Sequence, residues 1–180
     1  MTISRSKLLC AGAGLGVLGP ALLTPFTTVP AQAADDSDIN SIQLAITVEG
    51  TLIKAYQEAS ASNVLTPKGK EALNGFLKDH FAHRDALINV VKSAGAAPVE
   101  PNVKIKFPAS VKTEVDVLKI LQNLERIAAN SFLGTVGDLK NSALIQLVAS
   151  ILGVETTHVA ILGMALTQGY EPYKSSFVTK

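Results

Sequence analysis

Hydrophobic residues recur every three or four positions along four long stretches of the chain, which is the spacing of helices with one buried face. Polar and turn-forming residues separate the stretches. The first helix is expected to take Ser37 or Asp38 as its cap, and the second to open at Thr66-Pro67, a cap followed by a first-turn proline. The predicted helices cover residues 38–61, 67–95, 110–137 and 141–169.

The unequal gaps between these helices predict how they are connected. Turns of a few residues join the first helix to the second and the third to the fourth, so each pair should form an antiparallel hairpin. The segment Ala96–Ala109 contains three prolines and should be extended. It can reach roughly 43 Å at about 3.1 Å per residue, and a 27-residue helix is about 40 Å long. We therefore predict an all-α four-helix bundle, two hairpins joined by a long crossover.

The apolar stripes are interrupted near the middle of each helix by residues that commonly bind metals. Glu49 precedes His80-Phe81-Ala82-His83, and Glu125 precedes Glu155-Thr156-Thr157-His158. The lone Glu and the second His are 34 residues apart in the first half and 33 in the second, which indicates a duplicated hairpin. The candidate metal ligands are Glu49, His80, His83, Glu125, Glu155 and His158.

Their positions favour one shared site. Midpoints of packed antiparallel helices lie at one level of a bundle, and residues three apart lie on one helix face. His80 and His83 can therefore reach one ion, as can Glu155 and His158. Buried carboxylates and imidazoles are costly unless something pairs with them, which is the reason to expect a metal.

The first 33 residues have the character of a secretory signal. Arg5 and Lys7 form a short basic region, an apolar run follows, and Ala31-Gln32-Ala33 provides a small-residue cleavage site. The apolar run is shorter than the ~20 residues of a membrane span, so a membrane anchor is the weaker alternative. We expect residues 1–33 to be a signal peptide, residues 34–180 one domain, and the protein to be exported to the periplasm, cell envelope or medium, with the membrane involved only through that signal.

Composition excludes several classes of function. After the signal, 14 basic residues face 15 acidic ones, so there is no basic surface for nucleic acid. The single cysteine, Cys10, lies in the signal, which leaves no thiolate nucleophile or cysteine-ligated metal in the mature chain. Metal ions are the expected partners, and a homodimer is left open.

The sequence resembles the ferritin-like superfamily of di-iron carboxylate bundles, which includes ferritin, bacterioferritin and rubrerythrin. The pattern there is Glu, Glu-x-x-His, Glu, Glu-x-x-His on successive helices, and the matching segments are Leu124-Glu125-Arg126 and Val154–His158. Exported bacterial ferritin-like domain proteins are more similar still. The resemblance implies Glu49 and Glu125 as terminal carboxylates, Glu155 as a bridging one, and His83 and His158 as imidazole ligands.

His80 departs from this pattern because it occupies the place of a second bridging carboxylate. Three carboxylates balance two divalent cations less well than four, so weaker binding, a single ion, or zinc, manganese or copper instead of iron are alternatives. Asp79, about 100° around the helix from His80, is expected to be an outer partner and not a ligand. Tyr56 and Phe132 are expected to be core residues, with shielding of the site or electron relay as the alternative role.

Two functions remain in competition at this point. The resemblance implies an iron-binding protein with di-iron oxidase or ferroxidase chemistry toward oxygen or peroxide. The alternative is a non-enzymatic, structural or stress-associated bundle in which the same residues form a buried polar network with a degenerate metal site.

Overall fold

A computed structural model describes residues 34–167, which form four α-helices and no β-strand. The helices are α1 (Asp36–Ala61), α2 (Pro67–Ser93), α3 (Glu114–Asp138) and α4 (Ser142–Thr167). α1 packs against α2, α3 packs against α4, and α1 joins the two hairpins by packing against α3. The predicted all-α bundle of two hairpins and a long crossover is confirmed.

Two predicted helix starts are wrong, and local capping explains both. Asp35 caps α1, because its carboxylate accepts a hydrogen bond from the backbone N–H of Asp38 at 2.9 Å. The third helix begins at Glu114 and not near Ser110. Thr113 and Asp116 form a reciprocal capping box there, each side chain accepting from the other residue's backbone N–H.

The observed start and end of α2 agree closely with the prediction. Thr66 caps the helix and Pro67 is its first residue. The helix ends at Ser93, and Gly95, the predicted stop, lies just beyond with φ +76°, a left-handed conformation that suits glycine. The predicted end of the fourth helix, Gly169, lies outside the described residues.

The crossover spans residues 94–113 and is longer than the predicted 96–109 because α2 ends two residues earlier and α3 starts four residues later than predicted. It follows α1 along its length. The Gln43 side chain donates to Ala97 O and accepts from Val99 N, both at 2.7 Å. Pro101 then lies so close to Gly50 that an added Cβ would be 2.7 Å from its ring, so α1 needs a glycine at this crossing.

The core consists of two apolar clusters separated by a polar layer. One cluster surrounds Ile46 and Phe132, and the other surrounds Tyr56 and Leu121. All six candidate ligands are absent from both clusters and lie at the helix centres between them. Val115, in the first turn of α3, is 45% exposed, whereas Val117 two residues later is fully buried in the second cluster.

α4 is long and apolar enough to cross a membrane by length and composition, with a mean hydropathy of 1.6. Its central residues Glu155 and His158 are nevertheless buried against polar partners on the other helices. The structure therefore places α4 as a core helix of the bundle.

Asp38 should contribute strongly to stability, because its buried carboxylate connects α1 to the turn between α3 and α4. It accepts from the backbone N–H groups of Lys140 at 2.8 Å and Asn141 at 3.0 Å. Hydrogen bonds to a charged group contribute about 1.5–3 kcal/mol, so we expect Asp38→Asn to lower the free energy of unfolding by about 2 kcal/mol in urea denaturation. Asp36→Asn, at an exposed neighbour, is the control. Equal stability of the two variants would contradict this role.

Candidate metal centre

Six polar side chains from four helices meet in the layer between the two apolar clusters. Five of them are at most 2% exposed, and the side chain of His83 is 13% exposed. α1 supplies Glu49, α2 supplies His80 and His83, α3 supplies Glu125, and α4 supplies Glu155 and His158. The structure thus brings together all six residues singled out from the sequence.

The first group of potential ligands lies toward α1 and α2. Glu49 contacts two imidazoles, with Oε2 3.1 Å from His80 Nδ1 and Oε1 3.1 Å from His83 Nδ1. Glu155 Oε1 lies 3.1 Å from His83 Nδ1 and 3.6 Å from His80 Nδ1, within ion-pair range but outside hydrogen-bonding geometry. One ligand atom from each of these four residues falls within 4.8 Å of the others.

The second group lies toward α3 and α4 and shares His80 and Glu155 with the first. Glu125 Oε1 is 3.2 Å from His80 Nε2 and 3.4 Å from His158 Nδ1. One ligand atom from each of His80, Glu125, Glu155 and His158 again lies within 4.8 Å of the others. The two ring nitrogens of His80 therefore face different groups.

Comparison with known proteins identifies the architecture. The family model of the ferritin-like domain matches residues 37–168, which is most of the chain. The protein belongs to the ferritin-like domain family. No curated protein matches the sequence significantly.

Two solved structures share this ferritin-like fold at low sequence identity. A conserved hypothetical protein of Mycobacterium tuberculosis, rv2844, is 18% identical, with a TM-score of 0.66 over 79% of this chain and 97% of its own. A ferritin-like, diiron-carboxylate protein of Bacillus anthracis str. Ames is also 18% identical, with a TM-score of 0.60 over 72% of this chain and 94% of its own. At this identity the similarity supports the fold alone.

The ferritin-like site contains unpaired atoms of the kind that bind a cation. Four buried side-chain atoms have no hydrogen-bond partner among the described residues: Glu125 Oε2, both carboxylate oxygens of Glu155, and His158 Nδ1. Buried polar groups are normally paired, and carboxylate oxygens and imidazole nitrogens are common ligands of divalent iron, zinc and manganese. The residues present therefore fit a divalent metal.

Proton affinities in this ferritin-like site are shifted by burial and by close contacts. Burial by itself lowers the pKa of both His80 and His83, but hydrogen bonds to their carboxylate partners outweigh it and raise each pKa to about 9. Burial works to raise the pKa of Glu125, yet contacts with His158 and His80 hold that pKa well below its usual range. Burial raises the pKa of Glu155 despite the nearby His83.

Two outer residues complete the site, and the sequence indicated their roles only partly. Asp79 was expected to be an outer partner and not a ligand, and its Oδ2 lies 3.2 Å from His158 Nε2, on another helix. Tyr56 was expected to be a core residue, and its fully buried hydroxyl also donates a hydrogen bond to Glu125 Oε1. Burial and the Glu125 carboxylate raise the pKa of Tyr56 well above its ordinary value, so it stays a donor.

Sequence reasoning missed Phe76, whose ring stacks on His158 with centroids 4.1 Å apart and planes inclined by 18°. Its position one turn before His80 on the α2 stripe was the available signal. Phe132, by contrast, lies in the apolar cluster around Ile46 and matches the core interpretation.

Proposed function

We propose that this ferritin-like protein binds a divalent metal ion, iron foremost, in the polar layer of its bundle. The observation that carries this proposal is Glu155, whose two oxygens are fully buried without a hydrogen-bond partner among the described residues. An ionised carboxylate in that position is costly unless a cation compensates it. The neighbouring imidazoles and carboxylates supply a mixed nitrogen and oxygen donor set suited to iron, zinc or manganese.

Bound iron would supply the one-electron redox couple on which chemistry with oxygen or peroxide depends. The protein side chains hold charge and exclude water around it. Glu125 and Glu155 supply negative charge, Phe76 covers His158, and Tyr56 fixes one oxygen of Glu125. His83 is the most exposed of the six. Ferrous ion with oxygen or peroxide is the proposed substrate pair.

Metal analysis of protein purified without a histidine tag tests this proposal directly. We expect iron or another first-row metal to copurify, or ferrous ion to bind stoichiometrically under anaerobic conditions. Glu71→Gln, an exposed carboxylate on α2, serves as the control that should bind like the wild type. Absence of binding by folded protein would reject the proposed function.

A specific observation favours the second candidate, a bundle whose polar layer is purely structural. Each oxygen of Glu49 has a histidine ring nitrogen as its partner at 3.1 Å, from His80 and from His83. A structural role predicts the same melting temperature with and without chelator. A metal-binding role predicts a rise in melting temperature with added metal, since a ligand that binds only the folded state stabilises it.

We also propose that the protein is exported. The support is the basic and apolar character of residues 1–33, which lie outside the described residues. Amino-terminal sequencing of protein recovered from the cell envelope or medium tests this proposal. A start near Ala34 is expected, and an intact amino terminus on cytoplasmic protein would reject it.

Metal affinity should rise with pH, because the metal-free site holds protons that a cation must displace. Burial raises the pKa of the Glu155 carboxyl group to about 10, so this proposed ligand carries a proton at neutral pH. Each proton released on binding makes the apparent affinity about tenfold tighter per pH unit. We expect at least one such proton, measured as zinc affinity at pH 6, 7 and 8. An affinity that does not change over this range would contradict the protonation of the site.

A further inference from the structure

The two sides of the site differ in how completely their polar atoms are paired. On the first side, both oxygens of Glu49 have an imidazole nitrogen at 3.1 Å. On the second side, Glu125 Oε2 and His158 Nδ1 have no hydrogen-bond partner among the described residues, and neither has either oxygen of Glu155, which both sides share. The buried atoms that a cation could pair with therefore lie mainly in one half of the polar layer. The ligand pattern of the family would make the two halves alike.

Residues outside the ligand set orient His158 and Glu125 in that same half of the layer. Asp79 Oδ2 lies 3.2 Å from His158 Nε2, which leaves Nδ1 of the ring directed toward Glu125. Tyr56 and His80 both contact Oε1 of Glu125, which leaves Oε2 free. Metal-binding histidines commonly contact a carboxylate through their other ring nitrogen, and metal-binding carboxylates commonly accept a hydrogen bond. These contacts fix the orientation of the ring and of the oxygen that bind the ion.

His80 itself is poorly placed to be a ligand. Its Nδ1 lies against Glu49 Oε2 and its Nε2 against Glu125 Oε1, at 3.1 and 3.2 Å. Both ring nitrogens therefore already have a carboxylate partner, and a ring nitrogen held in such a contact is not available to a metal. His80 thus connects two carboxylates that would otherwise each need a cation.

We propose that the site takes a single divalent ion, held by Glu125, Glu155 and His158, while His80 and His83 pair with Glu49 in place of a second ion. Asp79 and Tyr56 act as positioning residues for that one ion. The inference rests on the proposed metal binding and specifies which half of the site performs it. It also assigns different roles to the equivalent histidines of the two hairpins, since His158 is a ligand and His83 is a hydrogen-bond partner.

Matched substitutions in the two halves test the inference. Anaerobic titration with Co²⁺, followed by its visible spectrum and by elemental analysis, gives stoichiometry and affinity independently of any activity. We expect one ion per wild-type chain and a loss of at least 100-fold in affinity for Glu125→Gln and His158→Gln. Glu49→Gln and His83→Gln should each lose less than tenfold, because only a more distant charge or a partner is removed.

The positioning role of Asp79 has its own readout. Asp79→Asn should lower Co²⁺ affinity by about 10–100-fold, the usual effect of removing a partner behind a ligating histidine, and should alter the Co²⁺ spectrum. Asp85→Asn, an exposed change on the same helix, should alter neither. An unchanged Asp79→Asn affinity would overturn the positioning role.

The outcomes separate this inference from the proposed function. Two ions per wild-type chain, or equal losses for Glu49→Gln and Glu125→Gln, would overturn the single-ion site while leaving metal binding intact. Absence of Co²⁺ and ferrous binding by folded wild type would overturn both. Because Glu49 is fully buried and its variant can misfold, the partly exposed His83→Gln provides the same comparison against His158→Gln.

Discussion

His80→Glu should convert a site for one divalent ion into a site for two. The substitution supplies the fourth carboxylate and gives both halves the same order of ligands, a carboxylate followed three residues later by a histidine. It also removes the two contacts through which His80 occupies Glu49 and Glu125. The freed oxygens and the added charge can then neutralise a second cation in an interior where water screens poorly. Elemental analysis after saturation with ferrous ion or Co²⁺ should give twice the metal bound by the wild type.

The same change should make the metal-free protein markedly less stable. Removing one partner from a buried charged pair costs about 3–5 kcal/mol, and here the variant adds a further carboxylate to Glu49, Glu125 and Glu155. We therefore expect a melting temperature that depends strongly on added metal. His80→Gln is the matched control, since it removes the imidazole without adding a ligand and should not gain an ion. A variant His80→Glu that binds no more metal than the wild type would show that charge at this position does not limit the site.

The sequence predicted most of the fold because the evidence for it is local. Helical periodicity, the Thr66-Pro67 cap and the glycine after α2 are each readable within a few residues. The start of α3 was missed because the proline-containing segment before it has few distinguishing features, and the decisive capping box at Thr113 and Asp116 was overlooked. The cap of α1 was displaced because several acidic and hydroxyl residues in succession compete for that role.

The identity of the clustered residues was also predictable, whereas their pairing was not. Mid-helix position predicts that Glu49, His80 and Glu125 approach one another, but it cannot give the direction of an imidazole ring. Whether His80 faces a metal or two carboxylates depends on how its side chain is rotated inside a packed core. The contact of Asp79 with His158 has the same origin, because it joins α2 to α4 across the bundle.

Glu155→Leu should abolish metal binding and at the same time stabilise the metal-free protein. Both oxygens of Glu155 are buried without a hydrogen-bond partner among the described residues, and burial raises the pKa of this carboxyl group, so in the absence of a cation its environment disfavours the charge. Replacing buried ionic groups by apolar residues of similar volume is often stabilising by about 1–4 kcal/mol. Urea denaturation in the presence of EDTA should show a gain in this range.

The isosteric Glu155→Gln distinguishes the two effects of that substitution. It removes the negative charge, so metal binding should be lost as in Glu155→Leu, but its buried amide remains in need of partners and should bring little gain in stability. In the absence of metal, Glu155→Leu should be more stable than Glu155→Gln, and Glu155→Gln should be about as stable as the wild type. That result would mean that the buried Glu155 carboxylate destabilises the metal-free protein and is kept because it binds a cation. A metal-free Glu155→Leu variant less stable than the wild type would instead identify Glu155 as part of a structural network, and the case for a metal at this residue would fail.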